Sequence, residues 1–399
     1  MASGKAHVNG KVLEWARLQA ELSPAETVQL AGINAVRDVP AEERLLGWES
    51  GSDLPTRNQL AALAKVYSKP TAMFYLPAPP SEGESLPDFR TLLPEQVRMS
   101  PRLRSLISKM KARQNEVVSL LEDEEDQELH RIEFIGRFSV NSNFSDVVND
   151  IRHCLGLTER IQRDQRSVEG LLRLIRARAE DLGVFVIIQG DLGNHSTRIE
   201  PEEFRGFCLS DPIAPFIVVN SYDAKPAQTF TLLHELAHLW IDESGISNIG
   251  IEQDAQPRNN IEIFCNKVAS EFLLPRQSLL EYWNELPHHD LYAAVNSIAA
   301  EFSVSRRAVA YRLRLESEIS FADWRTLSER FFNEYMAARQ RLRERDGGPS
   351  PYVLKRFSLG RRFIGTVLGA LDAGHIGYTS ASRMLGVPAK GFSKIRAEA

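Results

Sequence analysis

The run FTLLHELAHLW (230–240) sets two histidines and a glutamate into an otherwise apolar stretch, and few folds accommodate that. A helix turns every 3.6 residues, so His234 and His238, four apart, project from one face. Leu232, Leu233, Leu236, Ala237, Leu239 and Trp240 around them are what a buried helix requires. Two imidazoles on one face can bind a single tetrahedral zinc ion, and Glu235 beside them can take a proton from a water at that metal. The pattern is short, and a helix carrying two structural histidines explains it without any metal.

Zinc chemistry needs a third protein ligand and an open fourth position. The nearby acids are Asp242, Glu243, Glu252, Asp254, Glu262 and Glu271. Asp242 and Glu243 fall at or past the end of the histidine helix, where reaching back is awkward. Glu252 and Asp254 sit in a polar loop. Glu262 and Glu271 share the helical run EIFCNKVASEFLLP but are nine residues apart, so they face opposite sides. Glu262 shares its face with Cys265, Asn266 and Ala269, small enough for helices to approach closely, and is the preferred ligand. Glu252, Asp254 and the Cys265 thiol remain its alternatives, although Cys265 reads better as a small buried thiol. His195 and Tyr222 are candidates for oxyanion stabilisation without a spacing argument, and His130, His153 and His375 read as structural or exposed.

The rest of the chain is organised around this segment. It has 399 residues, 43% hydrophobic and 25% charged, ordinary for a folded protein of two to three domains. It has no run of the roughly 18 uncharged apolar residues that cross a membrane. The first twenty residues lack the apolar block of a signal peptide, and Cys154, Cys208 and Cys265 are too few and too scattered for a disulfide framework. The expected location is therefore the cytoplasm. Residues 9–78 read as short helices: Ser23-Pro24-Ala25-Glu26 is a capping-box start, a second start lies near Pro40, and a third helix fits Asn58 to Tyr67. PAPPSEGESLP (77–87) reads as a linker, 100–180 as helical with an acidic run from Glu122 to Glu128, and GVFVIIQ (183–189) and PFIVVN (215–220) as strands. The second of these is expected to be an edge strand able to hold an extended peptide. Helical patterns return at 226–242, 258–274, 291–302 and 305–316. Strands without regular alternation predict an α+β, mainly helical fold with a small sheet. The domains are expected at 1–78, 79–165 (linker and helices), 166–318 (metal domain) and 319–399, within which a break at 347–351 marks a further boundary.

Net charge is −5 but uneven. Residues 1–70 balance, with eight basic and eight acidic side chains, whereas 321–399 carry fourteen Lys/Arg against seven Asp/Glu. Such a tail faces nucleic acid or an acidic partner, or is a solvated helical surface.

Three stretches, FRGFCLSDPIAPFIVVNS (204–221), FTLLHELAHLW (230–240) and EIFCNKVASEFLLP (262–275), resemble the ImmA/IrrE family of metallopeptidases. RLLGWESGSDLPTRNQLAALAKVYSKPTAMFYLP (44–77) resembles the phage-repressor-type (Xre-like) helix-turn-helix domain fused to some of these peptidases, and LPDFR (86–90) resembles the junction in that arrangement. The resemblance spans most of 10–320. It implies a zincin-like domain with His234, His238 and Glu262 as zinc ligands and Glu235 as general base, cleaving a repressor or antitoxin-like protein and so controlling transcription. A repressor-like domain also implies a homodimer. The repressor-type resemblance implies DNA as a partner of residues 1–78, but the presumed reading helix AEERLLGWE offers only Arg44 against Glu42, Glu43 and Glu49, so a dimerisation or repressor-recognition module is its alternative. SASRMLGVPAKGFSKI (380–395) also resembles a small helix-turn-helix, with Arg383, Lys390 and Lys394 on it, and reads equally as a two-helix packing unit. Two rivals to the peptidase reading are a DNA-binding regulator whose zinc domain senses a ligand without proteolysis, and a non-enzymatic antitoxin-like or scaffold protein that holds no metal.

Overall fold

The computed structural model describes residues 5–20, 22–36, 39–67, 69, 71–79, 99–122, 131–242, 245–247, 260–287, 289–343 and 350–396. Outside them lie most of the expected linker, the LPDFR junction, the acidic run after Glu122, His130, Glu243, Glu252 and Asp254, and residues 347–349 of the Gly/Pro break. The chain separates into two compact units, one of residues 1–110 with 191–198 and one of 111–190 with 199–399.

The first unit is built from α1 (Gly10–Gln19), α2 (Pro24–Ala31), α3 (Ala41–Glu49) and α4 (Arg57–Val66), followed by a one-turn helix at Thr71–Tyr75. Ser23 and Glu26 form the expected capping box at α2. A second box, Thr56 with Gln59, starts α4 and lies outside the sequence expectations. Val12, Leu13, Leu45, Trp48, Leu60, Leu63 and Phe74 make the core. Through that core runs a buried two-pronged ion pair, Arg17 Nε and Nη2 to the Glu49 carboxylate at 2.7 and 2.9 Å. Glu49, one of the acids of the presumed reading helix, is thus spent inside the unit.

α5 (Pro101–Glu122) spans the boundary between the units. The second unit continues with α6 (Phe144–Leu155), α7 (Glu159–Arg163) and α8 (Val168–Asp181), then β1 (Phe185–Ile188), β2 (Gly206–Leu209) and β3 (Phe216–Val219). α9 (Lys225–Trp240) carries the histidines; β4 (Gly245–Ser247) and α10 (Asn260–Leu273) follow. Then come α11 (Arg276–Glu285), α12 (Leu291–Phe302), α13 (Arg306–Leu315) and α14 (Phe321–Arg343). The last helices are α15 (Pro351–Leu359), α16 (Arg361–Asp372), α17 (Tyr378–Leu385) and α18 (Phe392–Arg396). The architecture is α+β and mainly helical, as expected.

The four strands run in the order β1-β3-β2-β4, with β1 parallel to β3 and the other pairs antiparallel. This corrects one expectation. β3 is not an edge strand: Ile217 is paired with Val186 on one side and with Cys208 on the other. All four of its side chains are buried, so it is apolar on both faces, the composition of a central strand. The outer side of β1 is closed too. α15 and α16 pack on it, and Arg176 donates through Nη2 to the Val186 carbonyl at 2.6 Å. Gln114, fully buried on α5, ties the β2–β3 turn by donating to Leu209 O and Ala214 O at 2.9 and 2.8 Å. α9 lies across the sheet, with α8 and α10 against it, and the shared core runs through Leu232, Leu236, Leu239, Ile175, Val268 and Phe272.

Candidate metal centre

The turn from β3 into α9 is set by two amides. Asn220, fully buried, donates through Nδ2 to Ile199 O and Phe204 O and accepts from Tyr222 N. Gln228 donates to Ser221 O and Asp223 O from within the first turn of α9. Lys225-Pro226 begin the helix, where proline's missing N–H costs nothing. At the far end Trp240 donates to Asp150 at 2.7 Å and stacks on Phe134, ring centres 3.9 Å apart. Both ends are pinned, so the side chains between them are held in fixed directions.

His234 and Glu235 are fully buried and His238 nearly so. α10 packs along α9 and brings Glu262, in its first turn, onto the two imidazoles. Glu262 Oε2 is 3.2 Å from His234 Nε2 and its Oε1 is 3.2 Å from His238 Nε2, while the two Nε2 atoms are 3.1 Å apart. These three residues are the one cluster of metal-ligating side chains among the described residues. The donor set suits zinc. Ligand atoms about 2.1 Å from a tetrahedral zinc ion stand about 3.4 Å from each other, close to the separations seen here. Glu262 keeps 29% of its side chain exposed, so the cluster meets solvent on its side. The donor types and spacing of His234, His238 and Glu262 therefore fit a zinc ion.

Electrostatics follow from the same packing. Burial opposes charge on Glu262, yet hydrogen bonds from His234 and His238 outweigh it and hold the carboxyl at about 2. Burial lowers His234, reinforced by the charge of His238 and opposed by Glu262 and Asn266. Burial also acts to lower His238, but Cys265 and Glu262 more than offset it and the ring is raised well above its ordinary value.

The other described candidate acids, Asp242 and Glu271, point elsewhere. Asp242, at positive φ just past α9, accepts from Ser210 Oγ at 2.6 Å. Glu271 pairs with Arg312 at 2.6 Å and accepts from the Arg276 backbone N–H. Cys265 is fully buried, and burial raises its thiol. His195 is exposed on a one-turn helix at His195–Thr197, and His153 and His375 are exposed.

Gly206 is a further residue of the site, absent from the sequence expectations. It opens β2 where α9 crosses the sheet. A Cβ there would lie 2.4 Å from Thr231 Cγ2 and 3.1 Å from both Glu235 Oε1 and Val218 O. Glycine inside a strand is the available signal, since it marks a close backbone approach. Gly206→Ala is expected to destabilise the protein by roughly 1–3 kcal/mol through overpacking. A thermal melt reads this directly, and an unchanged Tm would mean that α9 and β2 have room to spare.

No curated protein and no solved structure is significantly similar to the chain. Residues 179–314, which hold all four strands, α9, α10 and the cluster, match the family model Peptidase_M78, the IrrE N-terminal-like domain, and this segment is thereby supported as a metallopeptidase domain of the ImmA/IrrE kind.

Proposed function

We propose that the protein is a zinc metalloendopeptidase that cleaves a regulatory protein of the repressor or antitoxin type. The single observation carrying this reading is the convergence of His234, His238 and Glu262 at 3.1–3.2 Å on one another, with Glu235 on the same helix. Those three side chains would hold the metal. Bound zinc supplies Lewis acidity, bringing a water's pKa to about 7 and polarising a carbonyl. Glu235 accepts the proton of the attacking water and delivers it to the leaving amine. Burial of Glu235 keeps bulk water away from that transfer. An extended substrate cannot add to β3, whose two neighbours are in place. β4 is the outer strand of the sheet, paired with β2 on one side only among the described residues, and strand addition there is the route consistent with the topology.

Residues 1–78 contribute recognition of a protein partner in this reading. On α3, Arg44 donates to the Asn34 carbonyl and lies over the Trp48 ring, which leaves Glu42 and Glu43 as the exposed charges. An acidic helix repels phosphate. Among the described residues no helix is long and apolar enough to cross a membrane.

Elemental analysis of purified wild type, His234→Ala and Glu262→Ala is the test. About one zinc per chain is expected in wild type, as for a single site with three protein ligands, and its loss in both variants. Zinc retained in Glu262→Ala would move the third ligand to Glu252, Asp254 or Cys265. Wild type that takes up no zinc after reconstitution would remove the peptidase reading and favour a regulator built on the same fold.

A further inference from the structure

The last helices carry a charge imbalance that a peptidase does not need. Residues 350–396 contain eight Lys/Arg and one acid, Asp372, and residues 373–396 contain no acid at all. Within them α17 ends at Gly386, in the left-handed region with φ 65, and Val387 and Pro388 complete a three-residue turn. The chain then re-enters helix through Ala389–Gly391 and α18. Two short helices joined by a three-residue, glycine-containing turn have the form of a helix-turn-helix.

The two helices are sided. Ala381, Met384 and Leu385 of the first and Gly391, Phe392 and Ile395 of the second are buried. α17 packs on α16 and α18 on α15. Gly391 sits directly on Tyr352, where a Cβ would be 2.5 Å from the ring. The inward residues of the second helix therefore have a support. Lys390 and Ser393 are exposed on the opposite face, and Lys394, also exposed, flanks it with its ammonium 5.1 Å from the centre of the Tyr352 ring, followed by Arg396. Arg383 of the first helix pairs with Glu116 at 2.9 Å, and Arg396 pairs with Asp372 at 2.7 Å. Both are surface pairs of the kind that phosphate can exchange at little cost.

We propose that residues 378–396 bind duplex DNA, with Lys390, Ser393 and Lys394 of the second helix laid against the major groove and its phosphates. The exposed side chains of the second helix itself are cationic and polar, with Tyr378 as the large exposed ring of the first, while the exposed Val353 and Leu354 belong to α15. The observation is independent of the zinc site, and so is its test.

Fluorescence anisotropy of the full-length protein on a labelled random-sequence duplex of about 30 base pairs, across about 50–200 mM salt, reads the binding and its electrostatic share. The double variant Lys390→Glu/Lys394→Glu is expected to bind at least about tenfold more weakly and to flatten the log–log salt slope by about two contacts' worth, each contact being worth about 0.9. Its Tm and zinc content stay at wild-type values, because both side chains are exposed and far along the chain from α9. Arg57→Glu/Lys65→Glu on α4, the control for binding through residues 1–78, is expected to bind as wild type does. Three results would overturn the proposal: no binding by wild type at the lowest salt, equal binding by the Lys390/Lys394 variant, or displacement of the duplex by poly-glutamate at equal charge, which would identify an acidic protein as the partner.

Discussion

Glu235→Gln is expected to retain zinc and a wild-type melting temperature while losing about a hundred- to ten-thousand-fold in cleavage rate, the range contributed by a positioned general base. Glutamine matches the volume of glutamate in a fully buried slot between α9 and Gly206, so the packing survives. It cannot accept the proton. The proposed metal cluster is untouched, since its three donors come from His234, His238 and Glu262. Cleavage of a proteome-derived peptide library, with products read by mass spectrometry, supplies the rate whatever the natural target is. A variant that keeps zinc and cleaves as fast as wild type would show that Glu235 is not the base. A wild type that binds zinc and cuts nothing would shift weight to the ligand-sensing regulator.

The second large effect lies away from the metal. Arg176→Ala is expected to cost about 3–5 kcal/mol, the usual consequence of stripping one partner from a buried ion pair. Arg176 and Glu180 are both buried and joined at 3.1 Å, and the guanidinium also donates to Val186 O at 2.6 Å and to Phe357 O. One side chain thus links α8, β1 and α15. Gly360, at φ 77, is pressed so close to Glu180 and Arg176 that any Cβ would collide with both. Removing the arginine strips a buried donor from three carbonyls, Val186 O, Phe357 O and Ser358 O, and from the Glu180 carboxylate. At about 2–4 °C per kcal/mol for a unit of this size, the melting temperature falls by roughly 6–20 °C.

The pH dependence of that loss has a definite sign. Burial already raises the Glu180 carboxyl above its ordinary value, against the opposing pull of Arg176 and Arg361. Without Arg176 it rises further. A group with a raised folded-state pKa stabilises the fold while protonated and loses that contribution as pH climbs through the raised value. The penalty of Arg176→Ala is therefore smaller in acid than at neutral pH. The paired variant Arg176→Met/Glu180→Leu removes both charges and is expected to recover most of the loss. A single variant melting within about 2 °C of wild type, less than the shift 1 kcal/mol gives, would show that the network is not holding the C-terminal helices.

Legibility in the sequence differs from element to element. α9 is legible because its information is local: two histidines at helical spacing inside an apolar run specify a buried helix whatever lies around it. The capping box at Ser23 and the helices at 291–302 and 306–315 are legible for the same reason. β2, only Gly206–Leu209, is too short to announce itself between loops, and α11 begins after Pro275 without a side-chain cap. Gly206 is meaningful only once α9 is known to cross it.

The position of β3 escapes the sequence on a different ground. The run PFIVVN specifies a strand buried on both faces, but which strands flank it depends on pairings far along the chain, with Phe185–Ile188 and Gly206–Leu209. Hydrogen-bonding edges carry no sequence signature, because every backbone offers the same N–H and C=O groups. The third member of the cluster shows the same division. Sequence periodicity can separate the faces of Glu262 and Glu271, since that is a property of one helix. Only the packing of α10 along α9 brings Glu262 to within 3.2 Å of both imidazoles and leaves Glu271 on Arg312. The sequence by itself determined the buried helix with its two histidines and its glutamate, because local periodicity and hydrophobicity suffice for that. Among the described residues, the tertiary structure alone decided which acid meets the two imidazoles and which strands flank β3, because both depend on contacts between segments that no local pattern encodes.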